Sequence, residues 1–149
     1  MIIITDTRER RPLTFVHPFV TEVVTTKLDF GDYSCRYSDG YQPPIYFERK
    51  SLGDLFGTMG AGYERFKREL MRSKAANSLL ILLVEASFTD VLRGYEHSTI
   101  KGISIVRKLF TLLWKYNMHF HFFNDRDEMS RFILEYYFAI GRSKCRQPN

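Results

Sequence analysis

Residues 79–86, LLILLVEA, constrain the fold of this chain more than any other stretch. The run is apolar at every position before Glu85, so it has no face to give to water. A strand of that kind is covered on both sides, and in a layered α/β domain the covers are helices. The chain supplies them. Helical periodicity is weak in SLGDLFGTM (51–59), clear in YERFKRELMRSKAA (63–76), and present again over Thr99–Tyr116 and Asp127–Gly141. Strand character belongs to MIIIT at the start, to FVTEVVTTKL (19–28) and to NMHFHFF (117–123). DYSCRY and PIYFER flank the turn-rich SDGYQPP and together form a hairpin. Strands first, then helix, strand, helix, strand, helix predict an α/β domain with a mixed sheet, its later strands parallel through right-handed crossovers.

At 149 residues the chain fits one domain, expected over residues 1–141 with a basic, disordered tail over 142–149. Hydrophobic residues at 44% and charged residues at 26% exclude disordered and collagen-like classes. The net charge of +5 favours a polyanionic partner without choosing between nucleic acid and an acidic membrane. Cys35 and Cys145 form no metal-ligand spacing and read as free thiols of a reducing compartment. The amino terminus lacks the apolar segment of a secretory signal, and the longest apolar run is too short to span a bilayer. A soluble intracellular protein, with no membrane partner and no small-molecule organic cofactor, is the expectation.

Chemistry concentrates around FERKSLGDLF (47–56). On a strand, Glu48 and Lys50 project from one face and Arg49 from the other. FGDY places Asp32 at the start of the hairpin's first arm, with Gly31 allowing a tight turn beside it, so pairing of the arms brings Asp32 toward Glu48. Asp6 at the end of the first strand offers a third carboxylate and Asp54 a fourth. Clustered carboxylates call for a cation, and oxygen-ligated Mg2+ or Mn2+ fits; such an ion polarises a phosphoryl oxygen and activates a bound water. Lys50 would orient that water or stabilise charge on the phosphate. Each piece has a plainer reading. Glu48, Arg49 and Lys50 can be a solvated strand end, GDY a simple turn, and DTRE (6–9) a capping box with Asp6 as N-cap and Glu9 at its third position.

Taken in order, Gly31-Asp32, then Glu48-Arg49-Lys50, then Asp54 resemble the signature of the XPF-type (ERCC-family) structure-specific nuclease domain of the PD-(D/E)XK superfamily. DTRE fits the DxRE pattern that ends its first strand. The resemblance covers nearly the whole chain, with Arg65 where the family has a helical arginine. Glu69 stands where a glutamine is usual, and RRPLTFVHPF is short for the helix usual there. The resemblance implies a restriction-endonuclease-like core and a metal-dependent endonuclease acting on branched DNA such as forks and flaps. Asp32, Glu48 and Asp6 would hold the metal, Lys50 would act on water or phosphate, and Arg49 and Asp54 would be motif members of less defined role. Two alternatives stay open: a catalytically silent DNA-binding or dimerisation subunit, and a junction resolvase on a related fold. No helix-hairpin-helix module of the kind that usually follows this domain is encoded in these residues, so a stand-alone nuclease and a part of a longer protein are both open.

Basic residues near the motif, Arg8, Arg10, Arg11, Arg65, Lys67, Arg68 and Arg72, are candidate phosphate contacts, with a solvated face as the plain alternative. His119 and His121 share a strand face but lack a third ligand for zinc. The helix over 99–116 carries two apolar stripes. Ile103, Val106, Phe110 and Leu113 form one; Ile105, Leu109, Leu112 and Tyr116 form the other. The second stripe, with Tyr137 and Phe138 of the last helix, is the expected homodimer interface, in keeping with dimerisation in the resembling family; burial inside the monomer is the alternative.

Overall fold

The computed structural model describes residues 1–144. Its elements run β1 (Ile2–Thr5), β2 (Glu22–Thr25), β3 (Tyr33–Arg36), β4 (Ile45–Ser51), α1 (Leu52–Met59), α2 (Tyr63–Ala75), β5 (Leu79–Glu85), α3 (Phe88–Arg93), α4 (Gly102–Tyr116), β6 (Phe120–Phe122) and α5 (Arg126–Lys144). The strands form one mixed sheet in the order β2-β1-β3-β4-β5-β6. β1 and β3 pair antiparallel, as do β3 and β4, while β4, β5 and β6 run parallel. The mixed sheet between helices is the expected architecture.

β5 fills the role that its composition demands. Leu80, Leu82 and Val84 face a core built with α1, α2, α3 and α4; Ile81 and Leu83 face a second core built with α5. Both faces are shut, and each fully buried leucine contributes about 2 kcal/mol of apolar transfer free energy. The same alternation sorts β4: Tyr46 packs on the first core and Phe47 lies in the second. Glu48 and Lys50 therefore face the α2 side, and Arg49 the α5 side.

α3 was not expected. It starts at Ser87, whose side chain accepts from the Asp90 N–H at 3.0 Å while Asp90 accepts from the Ser87 N–H, a reciprocal capping box. It packs close to α4: a Cβ on Gly102 would meet the Val91 carbonyl at 2.0 Å. DTRE, by contrast, opens no helix. α5 runs to Lys144, so residues 142–144 of the expected tail are helical; the rest of that tail, with Cys145, lies outside the described residues. Cys35 is a buried free thiol.

The expected interface residues are spent on the monomer. Ile105, Leu109, Leu112 and Tyr137 are fully buried in its own cores, because they occupy the faces of α4 and α5 turned to the sheet. Tyr116 packs against the first core and Phe138 against the His17 ring at 4.7 Å. The other stripe is split: Val106 joins the first core and Leu113 is half-buried, while Ile103 and Phe110 are exposed on α4 together with Trp114, which is 88% exposed and belonged to neither stripe. No described helix is long and apolar enough to cross a membrane.

Candidate active site

Asp32 is pinned between two strands. Its N–H donates to the Phe47 carbonyl of β4 at 2.7 Å, and its carbonyl accepts from the Asp6 N–H, just beyond β1, at 2.8 Å. This close approach depends on Gly31, which sits at φ +61; a Cβ there would come within 2.8 Å of the Phe47 carbonyl oxygen. The Asp32 side chain then reaches over β4 and accepts from the Arg49 N–H at 2.8 Å. Asp32, Glu48 and Lys50 line a cleft of about 650 Å3 together with Arg8, Gly31, Arg65, Arg68, Glu69 and Arg72. α2 roofs it: Phe66 and Leu70 are buried, while Arg65, Arg68, Glu69 and Arg72, at helical spacing, turn toward the cleft.

The electrostatics are those of two crowded carboxylates. Burial, and after it the neighbouring Glu48, push the Asp32 carboxyl up to about 8. Burial also raises Glu48, against the pull of Lys50, whose ammonium is paired to Glu48 Oε1. For Lys50 itself burial works against the charge, yet Glu48 outweighs it and the pKa is raised. Lys50 is thus protonated at neutral pH and acts as a cation and donor.

Asp6 does not join this pair. Its side chain is fully buried, one oxygen accepting from the Arg8 N–H (2.8 Å) and Nε (2.6 Å), the other from the Leu28 N–H (2.6 Å). Burial would raise its pKa, but these hydrogen bonds hold it below the usual carboxylate range. Asp6 closes the loop after β1 and does not line the cleft that holds Asp32 and Glu48. Among the described residues no group of three or more His, Cys, Asp or Glu is placed to hold a metal ion; Asp32 and Glu48 are a two-carboxylate donor set.

Arg49 belongs to the opposite face. It clamps Glu9 through Nε (2.9 Å) and Nη2 (3.0 Å) and reaches Glu85 through Nη1 (2.7 Å), and Arg126 of α5 joins Glu85 at 3.0 Å. This buried network ties the loop after β1, the end of β5 and the start of α5 to the back of β4. Asp54 caps α1: its N–H donates to Ser51 Oγ and its carboxylate accepts from the same hydroxyl at 2.6 Å. A smaller adjoining cleft collects Arg8, Arg10, Arg11 and Asp54 at the edge of the Asp32–Glu48 pair. Lys67 points elsewhere, paired with Glu64 at 2.7 Å and lying over the Tyr63 ring.

Glu9, Glu69, Glu85 and Arg126 were not expected at or behind the site. For Glu69 the signal was present, since it stands one turn after Arg65 on the same stripe; a lone carboxylate ending an apolar strand marks Glu85. The larger cleft, about 840 Å3, is lined by Met1, His17, Phe19 and Phe138 at the other end of β1 and holds none of these groups.

Comparison with known proteins places the fold and the family. Two solved structures of XPF from Aeropyrum pernix share the fold. One aligns with a TM-score of 0.62 at 22% identity over 88% of this chain and 62% of that chain. The other, a complex with DNA, aligns with a TM-score of 0.64 at 19% identity over 99% of this chain and 68% of that one. The chain thus spans about two thirds of the length of those XPF chains. No curated protein matches it. The ERCC4 domain family model matches residues 5–136, from the end of β1 into α5 and across every residue of the cleft, and the chain belongs to the ERCC4 domain family.

Proposed function

We propose that this protein is a divalent-metal-dependent endonuclease that hydrolyses phosphodiester bonds in branched or junction-containing DNA. The observation that carries the assignment is the pair of half-buried Asp32 and buried Glu48, set beside Lys50 in a cleft with an arginine rim. A polyanionic backbone is drawn to Arg8, Arg65, Arg68 and Arg72, which contact phosphates without reading sequence. Two carboxylates fit magnesium or manganese, since these ions take one or two protein carboxylates and fill the remaining positions with water and substrate phosphate. The raised Asp32 carboxyl fits the same reading: burial first, and Glu48 after it, oppose a second negative charge there, which a bound cation would compensate. Asp32 and Glu48 would hold the ion, which when bound supplies Lewis-acid polarisation of the phosphoryl group and an activated water. Lys50 donates to the oxygens on which charge develops. The Arg49 network on the back of β4 keeps Glu48 and Lys50 turned into the cleft.

We further propose that two copies associate through Ile103, Phe110 and Trp114 of α4. Next to this stripe the aromatic rings of Phe110, Phe120 and Phe122 contact one another in sequence along edge strand β6, and Phe88 continues the row. An apolar face of this kind beside an unpaired strand edge suits a second identical face related by a two-fold axis.

Labelled fork, flap, four-way and linear DNA, incubated with the protein in EDTA, Mg2+ or Mn2+, test the assignment. Cleavage of branched substrates only with metal is expected, with Asp32→Asn and Glu48→Gln binding DNA but leaving it intact. Absence of cleavage under every metal condition would refute the enzyme and favour a silent DNA-binding subunit.

A further inference from the structure

A cation held by Asp32 and Glu48 would find Lys50 in its way. The ammonium is paired to Glu48 Oε1, one of the two oxygens Glu48 has to offer. Two cations on the same oxygen repel each other at close range. Lys50 has little water to retreat to, its side chain being 19% exposed, so its charge needs another anion inside the cleft. Asp32 is itself the other ligand. Of the carboxylates lining the cleft, Glu69 remains.

Glu69 stands on α2 across the cleft from β4, within the row of Arg65, Arg68 and Arg72. Among the described residues it makes no ion pair and no side-chain hydrogen bond, and its charge acts on both Glu48 and Lys50. Its presence is otherwise puzzling. A negative charge amid arginines opposes the entry of phosphate, whereas a neutral side chain at this place would not.

Building on the metal-dependent reading of this cleft, we infer that Glu69 is a positioning residue that receives Lys50 when a divalent cation takes Glu48. The exchange frees the ligand oxygen and carries the ammonium from the floor of the cleft toward its roof, where a phosphate held by the arginines would lie. A glutamine at this position can accept a hydrogen bond but offers no charge, so it would leave Lys50 attached to Glu48.

The test is a double-mutant cycle on metal binding without DNA, read by calorimetric titration of Mn2+ into the parent, Glu69→Gln, Lys50→Met and the double variant. Turnover does not enter. In the parent background, Glu69→Gln should lower Mn2+ affinity about tenfold, because Lys50 then competes for Glu48. In the Lys50→Met background the competitor is gone, and Glu69→Gln should change the affinity less than about twofold. Equal losses in both backgrounds would make Glu69 a direct ligand or a source of general field and would overturn the exchange, as would an unchanged affinity in Glu69→Gln. Thermal melts establish that each variant is folded, and Lys50→Gln replaces Lys50→Met if the latter is not. A parent that binds no Mn2+ at millimolar concentration would overturn the metal-dependent reading itself, and the exchange with it.

Discussion

Replacing Asp32 by Asn should make the metal-free protein more stable at alkaline pH, although it removes a proposed metal ligand. Burial and the adjacent Glu48 hold the Asp32 carboxyl at about 8 in the folded chain, against an ordinary 3.8. A carboxyl raised in this way keeps its proton more firmly in the native state than in the unfolded chain. Its contribution to stability is fully present below about pH 4 and is lost as pH climbs to about 8. At about 1.4 kcal/mol per pH decade, the interval sets a ceiling of about 6 kcal/mol. Asparagine still offers an oxygen to the Arg49 N–H, at 2.8 Å in the parent, and carries no charge to repel Glu48. Part of the ceiling is taken up by Glu48, which shares the crowding, so the net gain near pH 8.5 should be about 2–3 kcal/mol, or about 4–12 °C in Tm. Near pH 4 it should shrink to within about 0.5 kcal/mol. Urea and thermal unfolding of parent and variant in EDTA at the two pH values measure the gap. A variant less stable than the parent at alkaline pH, or a gap of the same size at both, would refute the crowding of the two carboxylates.

Arg49→Ala should lower stability by about 3 kcal/mol or more, because it strands Glu9 and leaves Glu85 to Arg126 alone, and Arg49→Lys should recover only part, since an ammonium cannot grip Glu9 with two nitrogens and reach Glu85 as well; urea unfolding separates the three. Leu109→Ala should cost about 2–5 kcal/mol through the cavity it opens and leave the oligomeric state unchanged. Trp114→Glu should do the reverse, turning a dimer into an equally stable monomer by light scattering; a monomeric parent would remove the self-association through α4.

The architecture was readable because one constraint dominated: a strand apolar on both faces needs helices on both sides, and LLILLVE is such a strand. The hairpin that delivers Asp32 to Glu48 was readable for a similar reason, since period-two alternation assigns Glu48 and Lys50 to one face whatever packs there. Other outcomes depended on contacts that no local pattern carries. Asp6 has the chemistry of a ligand, and only the closure of the chain around it shows that Leu28 and Arg8 donate to its oxygens. On α4 the periodicity gave two apolar stripes of equal merit, and only the packed core distinguishes them: Ile105, Leu109 and Leu112 turn inward and take Val106 with them. The helix α3 went unread although Ser87 and Asp90 announced it, because its six residues are too short for periodicity to register.

Gly31 bears on how such a site can be lost. It carries no charge and would pass any inventory of ionisable groups, yet the φ of +61 and the 2.8 Å clearance beneath it let β3 settle onto the Phe47 carbonyl. A methyl group there would lift Asp32 away from Glu48 with every acid and base still written in the sequence. Silent and working relatives of such a chain can therefore share an unbroken set of functional side chains and differ only in a residue that has none. Intactness of the site is thus a property of the backbone's path as much as of its inventory, and a survey of relatives that looked only at carboxylates and lysines would miscount them.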